Sequence, residues 1–125
     1  NVYMAAVCRC YPGKNPSGAG DRVPSDYEIK KCSKWLDYEL NFLKPKLIIP
    51  VGKLAISQFI TFAKLNDVVG KKIKYQLNGM NSDIVALPHP SGLSTWYKKE
   101  PGKKLLKDAL NIIKKSSSWK LIIKK

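Results

Sequence analysis

The sequence has few acidic residues and few cysteines, and it lacks long apolar runs. Nine Asp and Glu stand against 23 Lys and Arg among 125 residues, which gives a formal net charge of +14. No apolar stretch approaches the roughly 20 residues that a membrane-spanning helix needs. Three cysteines are too few for the disulfide framework of a small secreted protein. We therefore expect a soluble protein of the cell interior, and its excess of positive charge favours a polyanionic partner.

The composition also excludes a disordered basic tail. Hydrophobic residues make up 44% of the chain and charged residues 26%, near the average of globular domains. No Gly-x-Gly-x-x-Gly motif or P-loop is present to hold the phosphates of a nucleotide or flavin. The sequence therefore argues against a small nucleotide- or redox-binding domain. We expect one domain over residues 1–125. Because the chain opens on Asn1 and runs at once into a strand-like segment, we expect a fragment whose start is missing.

Strand-like and helix-like patterns alternate along the chain. Strands are predicted at 2–9, 47–51, 73–77 and 84–87, and helices at 25–43, after Gly52 and from Pro101 onward. A capping box, Ser25 to Glu28, marks the start of the first helix, and Asn78-Gly79 is the signal of a hairpin. This alternation favours parallel β-α-β units, so we expect an α/β fold with three layers, α/β/α, around a small central parallel sheet.

The ends of the predicted parallel strands locate the functional face. In open α/β sheets, ligands bind at the carboxyl ends of the strands. Those ends carry the segments 8–12, 51–52 and 89–92. We expect these three loops to converge.

The only histidine, His89, directly follows a predicted buried strand and is flanked by two prolines. Its position at a strand end favours a functional role over that of an ordinary loop histidine. The segment 90–94 offers hydroxyls and free backbone N–H groups for a phosphate. Within it, Leu93 fits either a wedge that unstacks DNA bases or ordinary loop packing. Aromatic residues alternate with lysines at 95–99, which suits either a nucleic-acid contact or an amphipathic approach to the last helix.

The three cysteines can be explained in two ways. Cys8 and Cys10 lie at the end of the first predicted strand, and Cys32 lies on the first predicted helix. An iron–sulfur cluster normally uses four thiolates, so three in this chain would require a ligand from upstream. Unpaired buried thiols account for the same pattern equally well.

Four segments together resemble a known family. Residues 2–13, 20–36, 45–55 and 89–94 are similar, in order, to segments of the uracil-DNA glycosylase superfamily, and in particular of its iron–sulfur type from thermophilic archaea and bacteria. The resemblance covers nearly the whole chain and corresponds to the C-terminal two-thirds of the family domain. The family's first motif and its first pair of cluster cysteines would then precede Asn1.

The resemblance implies a hydrolase of base excision repair that removes uracil, or a related deaminated base, from DNA. It implies that His89 is catalytic and donates a hydrogen bond to uracil O2, that Ser91 binds a flanking phosphate, and that Leu93 fills the space of the flipped nucleotide. Gly92 and Ser94 would complete this DNA-binding loop, and Gly52 and Lys53 would form a second one. Cys10 and Cys32 would supply two of four ligands to a [4Fe-4S] cluster, with Cys8 a spare thiol.

One position departs from the family pattern. Ala6 stands where familiar members have an Asn that reads the uracil edge. The alternative is therefore a non-catalytic DNA-binding member of the same superfamily. In either case we expect a monomer in the cytoplasm, associated with the nucleoid, that binds damaged duplex or single-stranded DNA and no membrane.

Overall fold

The computed structural model describes residues 2–91 and 94–124. The chain divides into two compact units, one formed by residues 3–43 and the other by residue 2 with the chain from Lys44 onward. Each is described by itself below, and the single domain expected from the sequence stays a prediction. No helix within the described ranges is long and apolar enough to cross a bilayer.

The first unit is built around helix α1, Asp26–Leu43, at the position predicted from the sequence. Its capping box is present: the Ser25 N–H donates to Glu28 Oε2 at 2.7 Å, and the Glu28 N–H donates to Ser25 Oγ at 3.3 Å. Arg22 adds two bonds to the same carboxylate, at 2.7 and 3.0 Å. The loop before the helix is thereby tied to its first turn.

The pKa of the Glu28 carboxyl group tests the ion pair between Arg22 and Glu28. The hydrogen bonds from Arg22, with the Ser25 N–H, lower the pKa of Glu28 from 4.5 to about 2. Because the folded pKa lies below the unfolded one, the stabilisation is fully present above about pH 4.5 and is lost as the pH falls toward about 2. We expect Arg22→Gln to raise the pKa of Glu28 toward its ordinary value, as measured by NMR titration of the carboxyl group.

The control for that titration is Lys14→Gln, which removes a cation from the same loop and leaves the Arg22 bonds in place. It should leave the Glu28 midpoint low. A midpoint near 4.5 in the unaltered protein would contradict the ion pair.

The prediction of a strand at residues 2–9 is wrong. The segment has no regular secondary structure, and Val2 and Met4 are 66% and 89% exposed. A β-prone sequence becomes a strand only where a neighbouring backbone pairs with its N–H and C=O groups. No segment within the described ranges pairs with it.

The second unit contains a three-stranded sheet with the order β1-β3-β2. Its strands are β1, Leu47–Ile48, β2, Ile73–Leu77, and β3, Met80–Ile84. β1 pairs with β3 in parallel, and β2 pairs with β3 in an antiparallel hairpin. The α/β class is confirmed, with a mixed sheet, because the predicted hairpin adds an antiparallel edge to the parallel pair.

Strand β3 begins earlier than the predicted strand at 84–87. Its residues alternate between buried Met80, Ser82 and Ile84 and the more exposed Asn81 and Asp83. Such a half-exposed strand has polar side chains on one face, so an apolar run marks only its end. Beyond Ile84, isolated parallel bridges of Leu87 with residue 51 and of Ala86 with residue 69 continue the pairing.

The second unit also contains three α-helices. They are α2, Lys53–Ser57, α3, Gly102–Lys115, and α4, Ser117–Ile123. The core of this unit brings Ile56 of α2 and Ala109 of α3 together with Val69 and Val85. Helix α4 was not predicted; it starts where the Ser116 hydroxyl accepts a hydrogen bond from the Trp119 N–H at 3.2 Å.

Candidate functional site

Gly52 makes the turn between the segment after β1 and helix α2. Its backbone has φ 87° and ψ 160°, a conformation essentially restricted to glycine. The Gly52 N–H donates to the Leu87 carbonyl oxygen at 2.9 Å, and the Gly52 carbonyl oxygen accepts from the Ile56 N–H at 3.0 Å. The turn is thus bonded to the segment that leads out of β3.

His89 lies directly against this turn. A Cβ atom placed on residue 52 would lie 3.3 Å from His89 Cδ2 and 3.4 Å from His89 Cβ. The loops that follow β1 and β3 therefore meet, as expected for the carboxyl ends of neighbouring parallel strands. The third loop, 8–12, belongs to the other unit, and its convergence with these two stays a prediction.

The His89 ring is oriented by the backbone that follows it. Its Nδ1 accepts the Ser91 N–H at 3.1 Å. When one ring nitrogen of a neutral imidazole accepts a hydrogen bond, the other carries the proton, so Nε2 is the N–H donor. His89 is exposed, whereas the preceding Pro88 is buried. The site therefore holds an N–H donor at the edge of the sheet.

The rest of the loop closes on the Ser91 carbonyl oxygen. That oxygen accepts the Ser94 N–H at 3.0 Å and the Tyr97 hydroxyl at 3.5 Å. The predicted site residues Gly92 and Leu93 lie outside the described residues. Lys53 is exposed at the first position of α2, immediately after the Gly52 turn.

Downstream of this loop, Trp96 makes two contacts that could not be predicted from the sequence. The Trp96 indole N–H donates to Asn66 Oδ1 at 2.8 Å. A Cβ atom on Gly102 would lie only 2.1 Å from the Trp96 carbonyl oxygen, so the backbone at 96 rests on the first residue of α3. The one clue in the sequence is Gly102, a glycine at the start of a helix where no turn requires one. The contact fixes the downstream end of the His89 loop to the core.

Two of the three cysteines of the first unit, Cys8 and Cys32, interact with each other. The backbone N–H of Arg9, the Cys8 side chain and the backbone N–H of Cys10 lower the pKa of Cys32. Partial burial, with the bond to Cys32, raises the pKa of Cys8. The assignment of Cys8 as a spare thiol stays a prediction, although Cys8 interacts with Cys32. Cys10 is exposed.

Comparison with known proteins identifies the family. The sequence profile of the uracil DNA glycosylase superfamily matches residues 1–114. The chain belongs to this superfamily. The matched range includes the Gly52 turn, the His89 loop and all three cysteines, so both candidate sites lie within the superfamily match.

Several curated relatives are uracil-DNA glycosylases. A type-4 uracil-DNA glycosylase of Archaeoglobus fulgidus is 28% identical over 99 residues, which is 74% of this chain and 46% of that protein. A type-4 enzyme of Pyrobaculum aerophilum is 26% identical over 74% of this chain and 47% of its own length. A type-5 uracil-DNA glycosylase of the same organism is 27% identical over 74% and 38%, respectively. The chain thus spans about half the length of these relatives or less.

Proposed function

We propose that the full-length protein is a DNA repair glycosylase that hydrolyses the N-glycosidic bond of uracil, or of a related deaminated base, flipped out of DNA. The observation that carries this proposal is the position of His89 at the strand ends, seated on Gly52 and held by the Ser91 N–H at 3.1 Å. A fixed N–H donor at an exposed edge suits a base that must leave the helical stack before it can react.

The role of His89 follows from how charge develops during cleavage. As the glycosidic bond breaks, negative charge grows on the departing base, including uracil O2. A preorganised N–H donor stabilises such charge by about 3 kcal/mol in comparable sites. Since Nδ1 of His89 is occupied by Ser91, the Nε2–H is the group that would donate to O2.

The neighbouring loop positions would hold the DNA. The hydroxyls of Ser91 and Ser94 and the exposed ammonium group of Lys53 are groups that bind phosphate oxygens. Gly92 and Leu93 are assigned from the sequence: an apolar side chain at 93 would fill the space left by the flipped nucleotide. The protein in this role acts on DNA inside the cell, duplex or single-stranded, as a monomer.

The test of this function is base release from a uracil-containing duplex oligonucleotide by the full-length protein, with alkaline cleavage of the abasic product as the readout. Release of uracil supports the glycosylase. DNA binding without release of uracil or another deaminated base would favour the alternative, a non-catalytic DNA-binding member. That alternative is motivated by Ala6, whose methyl group cannot hydrogen-bond to the uracil edge.

Cys10 and Cys32 are proposed as two ligands of a [4Fe-4S] cluster in the full-length protein. No group of three or more His, Cys, Asp or Glu side chains within the described ranges could hold a metal ion, so these residues form a partial set. The N–H donors at Cys32 favour its thiolate form, which is the form that ligates iron. Such a cluster would tie the loop at Cys10 to helix α1.

The cysteine assignment predicts unequal effects of three matched serine variants. In the full-length protein, Cys10→Ser and Cys32→Ser should lose most of the bound iron and the visible absorption of the cluster. Cys8→Ser should retain both, because a serine hydroxyl can still donate to Cys32. Loss of iron in Cys8→Ser with retention in Cys10→Ser would assign the ligand to Cys8 instead.

A further inference from the structure

The second unit contains a groove of about 960 Å³ at the amino ends of the parallel strands. The β2–β3 hairpin forms one side of it, and the junction of α3 with α4 forms the other. Lys46 precedes β1 and Asp83 lies within β3, whereas Gly52 and His89 follow these strands. Because β1 and β3 run in parallel from the groove toward His89, the groove and the candidate active site lie at opposite ends of the sheet.

The charge of this groove is strongly positive. Four lysines line it, Lys46, Lys72, Lys74 and Lys115, against the single carboxylate of Asp83, which leaves a net charge of +3. The carboxylate is already paired, with Lys74 at 2.5 Å and Lys72 at 3.9 Å. The side-chain ammonium groups of Lys46 and Lys115 have no ion-pair or hydrogen-bond partner within the described ranges. Two ammonium groups are therefore free to bind an anion.

Uncharged hydrogen-bonding groups also line the groove. The amide side chains of Gln76 and Asn81 and the hydroxyls of Ser117 and Ser118 line the groove and have no partner among the residues described. The one aromatic lining residue, Tyr75, makes a T-shaped contact with Phe59, with ring centroids 5.4 Å apart. The groove thus presents cations together with neutral hydrogen-bonding groups.

We propose that this groove, termed the basic groove, binds the phosphodiester backbone of a nucleic acid. Lysines with interspersed amides and hydroxyls are the groups that contact phosphate oxygens without reading sequence. The groove is far larger than one phosphate group, which favours a continuous backbone over a free phosphate ion. The protein then has a nucleic-acid contact at the end of the sheet opposite His89, independent of base removal.

The test compares two double variants of the full-length protein that remove the same charge. Lys46→Gln/Lys115→Gln alters the basic groove, and Lys107→Gln/Lys120→Gln alters exposed lysines elsewhere on α3 and α4. Binding of a uracil-free duplex is measured by fluorescence anisotropy over a series of salt concentrations. We expect the groove variant to bind about tenfold more weakly at low salt and to lower the salt slope by about 2, one for each phosphate contact. The control should change affinity by about twofold or less.

Two results would overturn the proposal. One is equal binding by the groove variant and the control variant. The other is an NMR titration in which inorganic phosphate shifts the Asn81, Ser117 and Ser118 signals as strongly as the duplex does at equal phosphate concentration, which would make the groove a site for small anions. Neither measurement involves base release, so failure here is distinct from failure of the proposed glycosylase function.

Discussion

Replacing His89 by alanine is expected to reduce the rate of base release at least tenfold while DNA binding persists. If His89 supplies the full stabilisation of such a donor, about 3 kcal/mol, the loss is about 100-fold. The substitution removes the Nε2–H at the strand ends and leaves the Gly52 turn and the loop hydroxyls in place. Single-turnover release from a uracil-containing duplex by the full-length protein measures the effect, with anisotropy as the binding readout.

The matched variant is His89→Gln, whose amide can still donate a hydrogen bond. It should lose less activity than His89→Ala, because the role depends on donation rather than on an imidazole proton transfer. Unchanged turnover in His89→Ala would remove His89 from the site. A parallel loss of DNA binding would instead assign it to holding the duplex.

Gly102→Ala is expected to destabilise the fold by about 3 kcal/mol, the upper part of the range for overpacking. The added methyl group would lie 2.1 Å from the Trp96 carbonyl oxygen and 2.9 Å from its indole Cδ2. A backbone oxygen cannot rotate away, and the indole is held by Asn66. Either the first turn of α3 or the backbone at 96 has to move. Urea unfolding, followed by circular dichroism, measures the change in free energy.

For Gly102→Ala, overpacking and helix propensity predict changes of opposite sign in the free energy of unfolding. Alanine is favoured over glycine in a helix by about 1 kcal/mol, so helix propensity alone predicts stabilisation. The control is Lys103→Ala at the next, exposed position, where the free energy of unfolding should change by about 0.5 kcal/mol or less. A Gly102→Ala protein as stable as the unaltered one would show that Trp96 does not rest on residue 102.

Elements specified by neighbouring residues could be predicted from the sequence. The capping box placed the start of α1 correctly, because Ser25 and Glu28 bond to each other across one helical turn. The Asn78-Gly79 hairpin was equally predictable, since both residues adopt the positive φ values that this turn needs. The short α4 escaped prediction because its seven residues carry too little periodicity to distinguish a helix.

The candidate site was only partly predictable. The order of strands and helices indicated that the loops after β1 and β3 meet, and Gly52 and His89 do meet. The Ser91 bond that selects the donor nitrogen of His89 depends on backbone geometry between prolines, which residue types alone do not encode. The basic groove was also invisible in the sequence, because Lys46 and Lys115 are distant along the chain and only the fold places them on one surface.

The sequence by itself determined the α/β class, the hairpin, the main helices and the family resemblance. These depend on local hydrogen bonding, periodicity and motifs that occur within a few residues of each other. Only the tertiary structure decided that residues 2–9 are not a strand, that Cys8 contacts Cys32, and that Trp96 rests on Gly102. The physical reason is that each of these depends on which distant backbone or side chain lies alongside, and long-range packing, not local preference, provides that neighbour.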